Sequence, residues 1–165
     1  MVSIGLIKAS GIGYYTKLTE RENYWSEGGE SPGRWFENEA SRAFGLSGEV
    51  DNKQLETIAY GYDAKGLRGV QNAGHDLRRG AYDFTFSVPK SLSALWAIAS
   101  DADRQRIEEA FQRAVDRALE YVNAQVGFIR LGQGGYELEK VDLLIAKFDH
   151  GTSRAQDPQL HCHAL

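Results

Sequence analysis

The chain has 165 residues, 42% hydrophobic and 25% charged, with a formal net charge of −4. That length supports one domain with a real core, and the balance is that of a globular protein, which excludes a disordered, repetitive or fibrous chain. No run approaches the roughly 20 apolar residues of a membrane span, and the N-terminus lacks a secretory pattern. Cys162, the only cysteine, excludes an internal disulfide, so an intracellular, cytoplasmic location with no membrane partner is the simpler expectation. The acidic balance gives no pointer to nucleic acid.

Val2 to Lys8 is a short apolar run with β-branched residues and predicts a strand. Ser10, Gly11 and Gly13 loosen the backbone ahead of Tyr14 and Tyr15, where a short helix through Leu18 is expected, with Ser10 as its cap. Residues 26–33 read as loop. Apolar residues at 35, 36, 40, 43 and 44 have helical spacing and stop at Gly45. Asp51 caps a further helix whose apolar positions are Leu55, Ile58 and Ala59. Tyr62 to Gly80 has no period and several glycines, and reads as a mobile loop.

Tyr82 to Val88 alternates as a strand, with Phe84 and Phe86 on one face and Asp83 and Thr85 on the other. Ser87 and Pro89 signal a helix whose stripe is Leu92, Leu95, Trp96 and Ala99. Asp101 or Asp103 then begins the clearest helix, with Ile107, Ala110, Phe111, Ala114, Val115, Ala118, Leu119 and Val122 on one face and Gly127 as its end. Phe128 to Leu131 is a strand and Gly132 to Gly135 a hairpin turn. Val141 to Phe148 is an apolar strand leading to His150, residues 151–158 are a polar loop, and Gln159 to Leu165 is another strand. This order predicts an α+β sandwich, with a central, mostly antiparallel sheet and helices packed on one side. The last strand runs to Leu165 without a turn after it, so the chain reads as the N-terminal part, residues 1–165, of a single domain truncated at its C-terminus.

Three of the four histidines lie in the last 16 residues. On a strand His161 and His163 point to one face and Cys162 to the other. His150 ends the preceding strand, and the connection is long enough for a hairpin, so three imidazoles can converge on one cation with coordination positions left open. Surface or satisfied core histidines are the plainer reading of any H-x-H pair, and the third histidine argues against it. Imidazoles alone leave the cation as Mg, Mn, Zn or Ni.

Tyr14 and Tyr15 follow the glycine-loosened turn, and Tyr24 stands beside Trp25. A phenol with a pKa of about 10 needs a base or a metal to act as a nucleophile. Asp83, between two phenylalanines, could orient a metal-ligating imidazole, accept a tyrosine proton, or face solvent as an ordinary edge acid.

Taken together, GYY at 13–15, GLSGEVD at 45–51, YDFTFSVPKSLSALWA at 82–97 and FDHGTSRAQDPQLHCHA at 148–164 resemble the relaxase domain of MobF-type conjugative relaxases, the TrwC/TraI class. The resemblance spans essentially the whole chain and its last two motifs are highly specific. It implies a fold of the HUH endonuclease type and a single-stranded DNA substrate at the nic site of a transfer origin. It also implies relaxosome accessory proteins and a coupling protein as partners. By the same resemblance Tyr14 attacks the scissile phosphate to leave a 5′-phosphotyrosine, Tyr15 is its neighbour, and Tyr24 serves a later strand-transfer step. Asp83 is the acid near the nucleophile, and His150, His161 and His163 hold a divalent metal. Arg154 and Lys90 fall inside matched motifs; their chemistry suits phosphate contact and equally a surface salt bridge. Trp25 departs from the family, where a second adjacent tyrosine is common, and the family's domain continues well past the histidine pair. The alternative reading is a truncated relaxase without catalysis that at most binds DNA or metal.

Overall fold

A computed structural model describes residues 1–15, 32–153 and 155–165. Its centre is a five-stranded sheet of β1 (Val2–Lys8), β2 (Arg34–Trp35), β3 (Arg79–Ser87), β6 (Ala146–Thr152) and β7 (Pro158–Ala164), in the spatial order β1-β3-β7-β6-β2. Every neighbouring pair is antiparallel. The strand that carries His161 and His163 is therefore the middle one, held by ladders on both sides. A separate hairpin joins β4 (Phe128–Leu131) to β5 (Glu137–Lys140) across the predicted turn.

Among the described residues, four longer helices accompany the sheet: α1 (Glu39–Ala43), α2 (Asn52–Ala59), α3 (Lys90–Ile98) and α4 (Asp101–Val126). They cover both faces, not the one face the element order suggested. Alternation along β7 explains this. Leu160, Cys162 and Ala164 join Phe86 and Ile145 against Phe111, Val115 and Leu119 of α4. Leu165, of opposite parity, joins Ile7, Ala146 and Phe148 against Trp35, Leu46, Leu55 and Ala59. Each face thus has its own apolar cluster, and the histidines lie on the second face.

Local signals account for most helix ends. Asp51 accepts from the Gln54 N–H at 2.8 Å as the cap of α2, and Gly45, at φ 68°, follows the end of α1 in the left-handed conformation glycine tolerates. α4 begins at Asp101, one of the two aspartates expected to start it, with Ser100 as its cap. A 3-10 turn over Ala9–Gly11, with Lys8 at its cap position, precedes a helical turn at 13–15; Ser10, the expected cap of the helix, lies inside the 3-10 turn. The rest of the expected helix to Leu18, and the loop as far as residue 31, lie outside the described residues.

Elsewhere the structure departs from the pattern. Trp35 pairs with Ala146 in β2, and α1 begins only at Glu39, where Asn38 and Ser41 form a reciprocal capping box. Leu95 is 53% exposed, because α3 turns Ser93 inward, where its Oγ accepts from the Leu160 N–H at 3.1 Å. Residues 141–145 are extended but stand outside the ladder; side chains pin them, with Asn38 donating to the Leu143 carbonyl and the Leu143 N–H donating to Asn123. The 62–78 segment is a chain of hydrogen-bonded turns, in which the Asp63 carboxylate accepts from the Lys65 and Leu67 N–H groups and Arg78 donates to the Ala59 carbonyl, and Arg79 and Gly80 already belong to β3.

Candidate active site

Strand register assembles the site. His150 on β6 stands directly opposite His161 on β7, and His163 stands opposite Thr85 on β3. The even-numbered partners Cys162 and Ala164 turn toward α4, so the three imidazoles share a face. Their ring centres are separated by 5.1 Å (His150–His161), 5.4 Å (His150–His163) and 5.1 Å (His161–His163). A metal–nitrogen bond of about 2.0–2.1 Å puts a cation about 3.2 Å from each ring centre, so tetrahedral angles would separate the centres by about 5.2 Å. The observed spacings match that value.

Hydrogen bonds set which nitrogen each ring offers. His161 Nδ1 lies 2.8 Å from the Gln159 carbonyl, and His163 Nδ1 lies 2.9 and 3.0 Å from the two Asp83 oxygens. Both partners accept, so Nδ1 carries the proton in each ring and Nε2 is the nitrogen that could ligate a metal. Among the described residues no group of three or more His, Cys, Asp or Glu side chains is placed so that it could hold a metal ion as it stands. His150 and His161 are stacked with 28° between their planes, and a shared cation would have to open that stack. The trio suits a divalent ion in donor chemistry and in the spacing of its ring centres, but not in the orientation of the His150 and His161 rings.

Asp83 is 8% exposed and receives three donors. Tyr15 Oη donates to Oδ2 at 2.8 Å, Thr85 Oγ1 donates to Oδ1 at 3.2 Å, and His163 Nδ1 reaches both oxygens. Burial pushes the carboxyl up, but the hydrogen bond and charge of His163, with the Tyr15 and Thr85 hydroxyls, outweigh it and hold the acid below its ordinary value. The group is an anchored carboxylate, not a solvent-facing edge acid.

The two tyrosines differ. Tyr15 packs its ring edge-on to His163, 5.4 Å between centres. Tyr14 is 48% exposed and meets Tyr15 edge-on at 5.5 Å. The structure thus brings Tyr15, Asp83, His150, His161 and His163 together, with Tyr14 beside them at the surface. Lys90 stands apart, exposed, its Nζ donating to the Pro158 carbonyl at 2.9 Å and lying 3.9 Å from Asp157. Tyr24 and Arg154 lie outside the described residues. Thr85 and the Gln159 carbonyl are contributors that residue chemistry alone did not single out; Thr85 could have been found as the next residue on the Asp83 face of the strand.

A family model described as TrwC relaxase matches residues 8–165. The chain belongs to the TrwC relaxase family. The multifunctional conjugation protein TraI of Escherichia coli is 34% identical over 170 residues, an alignment covering 100% of this chain and 9% of that protein. Two solved structures of the conjugative relaxase TrwC in complex with oriT DNA are also similar. The metal-free one has a TM-score of 0.76 at 34% identity, and the metal-bound one 0.78 at 33%; each match covers 99% of this chain and 55% of the other. A third TrwC structure, with a 27-mer DNA comprising the recognition hairpin and the cleavage site, has a TM-score of 0.78 at 33% identity. The chain therefore spans about half the length of these solved relaxases. No helix among the described residues is long and apolar enough to cross a membrane.

Proposed function

We propose that this relaxase-family domain nicks single-stranded DNA at a conjugative transfer origin and transfers the cut strand, using Tyr14 as nucleophile. The observation that carries the proposal is the adjacency of a surface phenol, an anchored carboxylate and three imidazoles at metal-site spacing. Tyr14 Oη forms a bond to the scissile phosphorus while the P–O3′ bond breaks. The phenolic proton passes to solvent, to which Tyr14 is open, and the departing oxygen takes up a proton as the free 3′-hydroxyl. The phosphoryl group stays on the DNA 5′ end as a phosphotyrosine ester, whose bond energy is kept for rejoining to an incoming 3′-hydroxyl.

His150, His161 and His163 would hold the divalent cation, which when bound supplies Lewis-acid polarisation of the phosphate. Asp83 serves that site by orienting His163; its oxygens are committed to three donors, which leaves it poorly placed to act as the base for Tyr14. Lys90 and Arg154 are assigned to the DNA phosphates on their basic chemistry, and Tyr24 to the later strand transfer on its family position. A cytoplasmic setting, with accessory and coupling proteins as partners, belongs to the same reading.

The test is an SDS-stable adduct between the 165-residue chain and oligonucleotides spanning transfer-origin nic sites, run with Mg, Mn, Zn or Ni and with chelator. Adduct is expected with metal, is reduced by chelator, and is lost in Tyr14→Phe. An adduct formed equally well by Tyr14→Phe assigns the nucleophile elsewhere. Oligonucleotide binding with no adduct under any condition supports the non-catalytic alternative.

A further inference from the structure

The proposed mechanism uses Tyr14 and the imidazoles, and leaves a part-buried hydroxyl pair unexplained. Tyr15 Oη and Thr85 Oγ1 each take one oxygen of the same carboxylate, Tyr15 on Oδ2 and Thr85 on Oδ1. They come from distant parts of the chain, the helical turn after β1 and the middle of β3. Between them the carboxylate meets His163 Nδ1 with both oxygens, at 2.9 and 3.0 Å.

We infer that Tyr15 and Thr85 are positioning residues that clamp Asp83, so that it locks the His163 imidazole with its proton on Nδ1 and presents Nε2 as a metal ligand. This rests on the three-histidine reading above. A carboxylate side chain turns readily about its terminal torsion, and a neutral imidazole has two tautomers, the choice between them being set by the hydrogen bond its other nitrogen makes. One donor on each oxygen stops the carboxylate turning. With the single Thr85 proton donated to Oδ1, every oxygen around Nδ1 acts as an acceptor toward it, which fixes the tautomer. Thr85 Oγ1 also lies 3.2 Å from His163 Nδ1, so the clamp closes directly on the ring.

The same geometry assigns different duties to two adjacent, chemically identical residues. The Tyr15 hydroxyl is spent on Asp83, and its ring edge bears on His163. Its proton faces a carboxylate already stabilised by two other donors, which makes Asp83 a poor acceptor for it. Tyr14, with the exposed phenol, is left as the member of the pair that a DNA strand can reach.

The experiment reads the tautomer first. Long-range proton–nitrogen spectra of the metal-free 165-residue chain, at a pH where its imidazoles are neutral, are expected to show His163 protonated at Nδ1. Tyr15→Phe and Thr85→Val each convert His163 to a tautomer mixture. Each also weakens zinc affinity, measured by competition with a chromophoric chelator, by about tenfold, the low end of the roughly 10–100-fold range for groups behind a metal-ligating imidazole. Thr85→Ser, which keeps the hydroxyl, restores both readouts. An unchanged tautomer and affinity in both variants overturns the clamp. So does a Tyr15→Phe variant that loses the DNA adduct while keeping zinc affinity, since Tyr15 would then be the nucleophile. If the parent binds no zinc, the three-histidine reading fails; the tautomer spectra, which need no metal, still uphold the clamp if they shift and overturn it if they do not.

Discussion

Replacing Asp83 with asparagine tests whether the carboxylate is an organising centre of the metal-free fold. The side chain accepts from Tyr15, Thr85 and His163 at 2.8–3.2 Å and is nearly buried. An amide keeps the shape but turns one of the two oxygens into an N–H donor. Whichever way it is placed, the hydroxyl of Tyr15 or of Thr85 that it faces must turn to accept from it, which leaves that hydroxyl's own proton without the carboxylate, and the remaining oxygen carries no charge for His163. A hydrogen bond to a charged group is worth about 1.5–3 kcal/mol, and a buried donor left unpaired costs about 1–3 kcal/mol. The two effects overlap in one network, so the expected loss is about 2–3 kcal/mol. At roughly 2–4 °C per kcal/mol for a domain of this size, the melting temperature should fall by about 5–10 °C at pH 7. The dependence on pH follows from the lowered folded-state value of Asp83. A depressed carboxylate contributes stability that is present above its unfolded value, about 3.9, and is lost as pH falls through its folded value. The gap between parent and Asp83→Asn should therefore be widest near neutrality and should narrow below about pH 4, as first the unfolded chain's acid and then, at lower pH, the folded one takes up its proton. Chelator-treated protein, melted from pH 7 to pH 3 by circular dichroism, reads both. A gap that stays constant across that range, or no destabilisation at pH 7, refutes the assignment of Asp83 as an anchored carboxylate.

Three other outcomes follow from packing. Leu119 is 1% exposed in the cluster between α4 and the sheet, so Leu119→Ala should cost about 2–5 kcal/mol in urea unfolding. Ser93→Ala leaves the buried Leu160 N–H without its acceptor and should cost about 1–3 kcal/mol, whereas Ala94→Ser, on the exposed side of α3, should be close to neutral. Cys162 is buried, and burial pushes its thiol far above the ordinary cysteine range; a thiol reagent should label it only after unfolding, and rapid labelling of the native protein would contradict its placement toward α4.

How much of this was readable from the sequence depends on the range of the interaction involved. The histidine face follows from a two-residue alternation, and the central strand obeys it. The caps at Asp51 and Gly45 are decided within three or four residues of themselves. The apolar run at 35, 36, 40, 43 and 44 misled because helical spacing does not say what a residue packs against. Trp35 pairs with Ala146 across the sheet, and the local signal that could have moved the helix start was Asn38 with Ser41 three residues on. The strand expected from Val141 enters the ladder only at Ala146, opposite Leu165, whose N–H and carbonyl bond to Ala146. Residues 141–145 are held by Asn38 and Asn123 side chains, a tertiary arrangement without a periodic signature.

The site shows the same division more sharply. Sequence spacing placed His161 and His163 on one face and made His150 available to them, but could not choose among three roles for Asp83. The choice is made by residues 68 and 80 positions away, Tyr15 and His163, which bring their donors to the carboxylate from opposite ends of the chain. It also separates Tyr14 from Tyr15, which adjacency in sequence makes look interchangeable. Successive residues in a helical turn point in different directions. One phenol is therefore drawn into the hydrogen-bonded interior while its neighbour stays in solvent. If the domain acts as proposed, that turn supplies the nucleophile and a support of the metal site from two consecutive positions. A one-residue insertion between Gly13 and Tyr14 should then damage metal affinity and adduct formation together, while Tyr14→Phe removes adduct formation alone.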